Sequence, residues 1–388
     1  MWTFRLPFSS FPYVVGIMDM GSPHPPNLPV APHNRTVSPE PDRRRYRAMI
    51  VITTDHAAHD PNRFTLPTDT RPYWEVPARA DTLLATLGAA GIASKPAKDH
   101  GLAPIARIHD AGYLRFLETA FVRWQALPNA APILRAPAYA VRHKGRCPDA
   151  VAGQAGWYLS SVTAPIVEAT FAAAVGSAHA AIEAADTVLS GERIAYALCR
   201  PPGHHAHTDM AGGFCYLNNA AIAAQRMLDA GTGPLAVLDF DVHHGNGTQQ
   251  IFYEREDVFY ASVHGDPAGL YPWFAGYADE AGQGRGIGWN LNLPLPPGTR
   301  NEGFTAATGQ ALDAIAAKRP AALIVSLGFD AQEGDPAANL SVNAEGFGVI
   351  GQQVAALGLP TLLVQEGGYL VERLGPNLTA FLTGLGVV

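Results

Sequence analysis

Residues 234–248 read PLAVLDFDVHHGNGT, an apolar, β-branched run that ends in a cluster of carboxylates and imidazoles. A short apolar run followed by glycine reads as a buried strand of a parallel sheet. In open α/β sheets the carboxyl ends of the strands are where ligands bind. Asp239, Asp241 and His243 alternate at period two, so their side chains are expected to leave one face of the strand end together. Buried carboxylates are costly unless paired or bound to a cation. Two Asp and one His at a strand end therefore point to a metal, the alternative being a hydrogen-bonded polar cluster that caps the strand.

The same grammar runs along the chain. Strand patterns are predicted at 49–54 (MIVITT), 196–199 (YALC), 259–263 (FYASV), 321–330 (AALIVSLGFD) and 361–365 (TLLVQ). Helical patterns are predicted over 77–92, 110–125, 171–189, 217–230, 301–317 and 344–357. This alternation predicts one doubly wound, mostly parallel α/β sheet over 49–388, with no internal repeat or domain boundary. Residues 126–170 look irregular and are too long for a structureless loop, so they are expected to serve a function or an interface. Residues 264–288 are irregular and aromatic. Residues 1–48 carry scattered prolines and RRRYR (43–47), and read as a disordered leader or an over-extended start.

Charge and cysteine content narrow the function class. The 388-residue chain has a formal charge of −7, and six of its 27 basic but three of its 34 acidic residues lie in 1–48, so the rest carries −10. An acidic body argues against nucleic acid and tolerates cationic ligands. No apolar run approaches the roughly 20 residues of a membrane span. Cys147, Cys199 and Cys215 show no CxxC spacing, so no disulfide framework or zinc knuckle is indicated and a reducing cytoplasm is expected.

Three further strand ends add polar groups that folding does not need: Asp330 in GFDA, His204 and His205 in RPPGHH, and Tyr369 in EGGY. Two Asp and one His give three protein ligands, as in a catalytic zinc site with an open position. The mixed set also suits Fe(II), Co(II) or Mn(II). One of the tandem histidines would carry a proton from water to the leaving group, and the other would be held charged by Asp239. Tyr369 can donate a hydrogen bond to an oxyanion. GFGVIG (346–351) matches GxGxxG but follows a loop, so a dinucleotide site is not expected. His244 is expected to point to the opposite face as a structural residue, and Cys215 to be wall rather than nucleophile. His24, His33 and His143 belong to no constellation.

With RPPGHH, GGFCYLNNAA, DFDVHHGNGTQ, SVHGDP, SLGFDA and EGGY in order, the chain over 49–388 resembles the histone deacetylase superfamily, and within it the acetylpolyamine amidohydrolases. The resemblance implies an arginase-like fold with an eight-stranded parallel sheet and one Zn²⁺ held by Asp241, His243 and Asp330. It implies His205 as general base and acid, His204 as the electrostatic partner of Asp239, and Tyr369 as the group that polarises the acetyl carbonyl. Phe214 and Tyr271 would wall a narrow channel. Structural potassium is implied at Asp239, Asp241, His243, Ser262 and Val263, and again at Phe252, Arg255 and Val258. The segment 126–170 would build a homodimer and narrow the mouth.

Two departures bear on specificity. Asn246 stands where many members carry an aspartate that orients the second histidine, although asparagine occurs in the small-amine and class II branches. An amide holds His205 less strongly charged than a carboxylate would. Relatives that cleave polyamines also use carboxylates near the mouth, and only Asp69 and Asp149 are offered in the comparable segments here. The reading is a cytoplasmic, zinc-dependent amidohydrolase acting on small acetylated amines such as acetylpolyamines. The alternatives are a protein acetyl-lysine deacetylase, a ureohydrolase-like dimanganese enzyme and a non-catalytic acyl-ligand sensor.

Overall fold

The apolar runs become strands that are buried on both faces, which is what a parallel sheet covered by crossover helices requires. The computed structural model describes residues 49–64, 73–142 and 145–388. The leader expected at 1–48, together with Asp69 and His143, lies outside the described residues. Among the latter, the strands are β1 (Met49–Thr53), β2 (Ser94–Pro96), β3 (Ile194–Ala197), β4 (Leu235–Asp239), β5 (Val258–Gly265), β6 (Asn290–Leu295), β7 (Ala322–Leu327) and β8 (Thr361–Gln365). They form one sheet in the order β2-β1-β3-β8-β7-β4-β5-β6. Every pairing in it is parallel.

The α-helices are α1 (Ala78–Ala89), α2 (Ala111–Gln125), α3 (Val151–Tyr158), α4 (Thr170–Leu189), α5 (Asn219–Asp229), α6 (Asn246–Phe252), α7 (Asn301–Lys318), α8 (Ala344–Leu357) and α9 (Val371–Leu385). Period-two alternation sends Ala195, Ala197, Val237, Ile324 and Val364 to one face, where they meet α2, α4 and α5. Tyr196, Leu238, Val325 and Leu363 go to the other face, against α1, α7, α8 and α9. Each Val, Leu or Ile so buried contributes roughly 1.5–3 kcal/mol. Helix α4 buries most of its circumference behind small residues such as Ala174, Ala178, Ala181 and Ala185, which lets it lie close to the sheet.

Several elements differ from the sequence reading. The stretch expected to be irregular over 126–170 contains α3. Strands β2 and β6 and helices α6 and α9 have no counterpart among the predicted elements. The GFGVIG stretch lies inside α8 and makes no strand-to-helix turn. What positions the site is the middle of the sheet: β3, β8, β7 and β4 are consecutive neighbours, and the four polar motifs follow their carboxyl ends.

Candidate active site and metal centre

Strand β4 ends at Asp239, so Asp241 and His243 lie in the bend after it, and hydrogen bonding rather than strand pleat aligns them. Asp239 Oδ1 accepts from the Asp241 N–H at 3.2 Å, and Asp241 Oδ1 from the His243 N–H at 3.0 Å. From β7, Asp330 Oδ1 accepts from Val242 N–H at 2.9 Å. Beyond β8, Gly367 N–H donates to Asp241 Oδ2 at 2.7 Å. Gly367 has to be glycine: a Cβ there would stand 2.2 Å from Asp330 Oδ2 and 2.5 Å from Asp241 Oδ2.

Asp241, His243 and Asp330 are buried, with ligand atoms within 4.8 Å of one another. His243 Nε2–H donates to the Ala337 carbonyl at 2.9 Å. Its Nδ1 thus turns toward Asp241 Oδ1 at 3.1 Å and Asp330 Oδ2 at 3.2 Å. A lone pair facing two buried carboxylates is repulsive with no positive charge between them, so the donor set fits a cation. The titration tendencies agree. Burial and then Asp241 push the Asp330 carboxyl up to about 7. His243 is raised well above the usual imidazole value, since hydrogen bonds and charge from Asp241 and Asp330 outweigh burial. His204, Cys215 and Glu366 also converge. Their atoms are already engaged: Glu366 Oε2 accepts from Gly203 N–H at 2.7 Å and His204 N–H at 3.1 Å, and Cys215 Sγ–H donates to the Gly213 carbonyl.

The tandem histidines have contrasting partners. His204 Nδ1 lies 3.0 Å from Asp239 Oδ2, which also accepts from Tyr260 O–H at 3.0 Å. Burial lowers its pKa, but Asp241 and Asp239 outweigh burial and raise it to about 10. His205 Nδ1 faces the Asn246 Oδ1 at 2.7 Å, so the proton sits on Nδ1 and Nε2 is left as acceptor. Burial, then the charges on His204 and His243, drive its pKa well below the ordinary value. One imidazole is thus held cationic and its neighbour neutral, at a ring separation of 4.0 Å.

Tyr369 is buried to 9% exposure and stays protonated, its pKa driven well above the usual value chiefly by burial. Its ring lies 5.3 Å from that of Phe214, while Tyr271 lies 4.8 Å from His205. His244 is buried, with Nε2 on Gln249 Oε1 at 3.0 Å and its ring against His264. Burial also pushes the Cys215 thiol well above its ordinary value, which leaves it an inert wall. Ser262 pairs in register with Asp239, and Val263 follows it on β5. Phe252, Arg255 and Val258 lie where α6 leads into the opposite end of β5.

Supporting residues were not evident in the sequence. Asp335 Oδ2 accepts from the Tyr369 N–H at 2.7 Å and the Leu370 N–H at 3.0 Å. Arg79 donates to the carbonyls of Gly368 and Glu366 and lies 4.8 Å over the Tyr369 ring. Buried Glu75 pairs with both Arg79 and Arg200, each at 2.8 Å. Tyr73 packs its ring 5.0 Å from Phe214. Only Glu366, opening EGGY, carried a usable signal, as a carboxylate at a buried strand end.

Comparison with known proteins matches this arrangement. The family model of the histone deacetylase domain matches residues 73–385. The chain is 44% identical over 339 residues to acetylpolyamine amidohydrolase 1 of Pseudomonas aeruginosa, covering 87% of this chain and 98% of the relative. It is 46% identical over 337 residues to the acetylpolyamine amidohydrolase of Burkholderia pseudomallei, covering 86% and 97%. The crystal structure of an acetylpolyamine aminohydrolase from Burkholderia pseudomallei superposes with a TM-score of 0.83 at 44% identity, covering 87% of this chain and 99% of that one. A family match over residues 73–385, joined to the all-parallel sheet and the convergent strand ends, bears out the resemblance read from the motifs: the chain is a hydrolase that belongs to the histone deacetylase family.

Proposed function

We propose that the protein hydrolyses the amide of small acetylated amines such as acetylpolyamines, giving acetate and the free amine. The observation that carries this is the pair of imidazoles, one fixed to Asp239 and one to Asn246, beside the Asp241, His243 and Asp330 cluster. A divalent metal, zinc in this reading, would be held by those three residues and supply Lewis acidity toward the acetyl carbonyl and a water. His205 Nε2 accepts the proton of the attacking water. His204, kept cationic by Asp239, adds positive charge beside the developing oxyanion. Tyr369 O–H donates to that oxyanion, and Asp335 and Arg79 hold its backbone turn in place. His205 then returns its proton to the leaving nitrogen, which departs as the amine.

Phe214 and Tyr271 would wall a channel suited to a flexible methylene chain. In this proposal potassium binds near Asp239, Asp241, His243, Ser262 and Val263, and again near Phe252, Arg255 and Val258. Residues 126–170 would form a homodimer contact, an idea supported by exposed Tyr139 and Val141 and by Val162, 57% exposed. Three unpaired cysteines suit a cytoplasmic setting. Among the described residues no helix is long and apolar enough to cross a membrane. A second reading, acetyl-lysine in proteins, is favoured because the one candidate mouth carboxylate among the described residues, Asp149, lies exposed just before α3. Turnover of acetylputrescine, acetylspermidine and acetyl-lysine peptides tests the two. Faster cleavage of the peptides overturns the small-amine reading.

A further inference from the structure

A third imidazole lies behind the catalytic pair. The Asn246 amide presents Oδ1 to His205 Nδ1 at 2.7 Å and Nδ2 to His207 Nε2 at 3.0 Å. The two ends of an amide are alike in shape and opposite in what they demand. With oxygen toward His205, Nδ1 carries the proton and Nε2 is free to accept. With nitrogen toward His205, Nδ1 must accept, Nε2 holds the proton, and the base is lost. A carboxylate at 246 would face no such choice. We infer that His207 is a positioning residue: by accepting from Asn246 Nδ2 it fixes the orientation of the amide and, through it, the tautomer of His205.

His207 is itself anchored. Its N–H donates to the Met210 carbonyl at 2.9 Å, closing a turn. That turn is tied down by Thr208 N–H on Gln250 Oε1 at 3.1 Å and by Asp110 N–H on the Thr208 carbonyl at 2.9 Å. At its tip Asp209 is gripped by both terminal nitrogens of Arg142, whose guanidinium lies 5.0 Å over the Trp157 ring. Trp157 belongs to α3, so the 126–170 segment is connected to the catalytic base through Arg142, Asp209, His207 and Asn246. Burial, with Arg142 adding to it against Asp209, lowers the His207 pKa to about 4, so the ring is neutral at neutral pH and can offer a lone pair to Asn246 Nδ2, 3.0 Å from its Nε2. Both Asn246 and His207 line a cavity of about 750 Å³, so truncating His207 leaves a hole open to solvent rather than a void in the core.

The inference rests on His205 as the base and is tested in the full-length, metal-loaded enzyme. His207→Ala should keep its melting temperature and KM while kcat falls by about 10- to 100-fold, the scale of lost orienting partners. His207→Gln, which can still accept from Nδ2, should recover most of that loss. In an Asn246→Asp background, where no orientation needs fixing, His207→Ala should change kcat by less than about 3-fold. The ¹⁵N shifts of His205 should report a single Nδ1–H tautomer in the parent and a mixture in His207→Ala. An unchanged kcat and His205 spectrum in His207→Ala, or the same fold loss in both backgrounds, overturns the inference. His205→Ala separates the two levels. Full activity there removes the base itself, whereas its loss together with an unaffected His207→Ala removes only the role given to His207.

Discussion

At the scale of single residues, the proposed site divides into groups that would touch the reaction and groups that hold them. Tyr369→Phe should fold, retain metal and lose kcat by about 10²–10³-fold, the scale of one oxyanion donor. Near-parental turnover would remove the hydroxyl from the mechanism. Asp330→Ala should release the metal, because the site would keep two ligands. Elemental analysis at full occupancy would refute that ligand assignment. Gly367→Ala should also empty the site, since its Cβ would strike both ligand carboxylates. The groups proposed to touch the reaction were legible because a carboxylate or imidazole at the end of an apolar strand has no folding reason to be there. Glu75, Arg79, Arg200 and Asp335 were not. Their roles exist only in contacts made across the fold: Arg79 reaches the carbonyls of Glu366 and Gly368, Arg200 those of His56 and His59, and Asp335 accepts from the Tyr369 N–H.

At the scale of elements, helices with side-chain caps were found to within a residue or two. Asp110 accepts from two N–H groups at the start of α2, Asn218 from Ala221 N–H at the start of α5, and Asn343 from two at the start of α8. The missed elements lacked such signals. Helix α9 carries Gly375 and Pro376 inside it, β2 is three exposed residues, and β6 buries Asn290 and Asn292 where an apolar pattern would be sought. Those asparagines are stabilised by Gln249 on α6, a partner 41 residues away from Asn290, which no local pattern reports. Edge strand β2 depends on an ionic contact: Lys95 Nζ lies 2.9 Å from Glu183 of α4, which also faces His100 and Lys98. Burial would raise the Glu183 pKa, but Lys95, His100 and Lys98 outweigh it and hold the carboxyl below its usual value. A depressed folded-state pKa contributes stability above the unfolded value of about 4.3 and loses it as pH falls through the folded one. Glu183→Gln should therefore melt below the parent at pH 7, with the gap closing below about pH 4. A gap that stays constant across that range would show that the carboxylate contributes no ionic stabilisation.

At the scale of the molecule, the proposed preference for small amines rests on Phe214 and Tyr271 as channel walls, while the acidic body draws in cations of either class. Deleting residues 130–150 should yield monomers that accept larger acetyl-lysine peptides. Sedimentation of the intact protein as a monomer would undercut the role given to this segment. The parallel sheet was legible because strand and helix patterns alternate. The order of its strands was not, because adjacency is decided by which crossovers pack together. That order has a temporal consequence. Strand β8 alone joins β2-β1-β3 to β7-β4-β5-β6, and it is the last strand to be made. Until synthesis passes Gln365 the two half-sheets share no strand pairing, and neither Tyr369 nor the Gly367 N–H that braces Asp241 is in place. A released chain ending at Pro360 should therefore turn over no acetylated amine in an activity assay, although Asp241, His243 and Asp330 all belong to its β4 and β7 half. Insertion of β8 and ignition of the chemistry would then be a single event, so the cell never carries a half-made hydrolase.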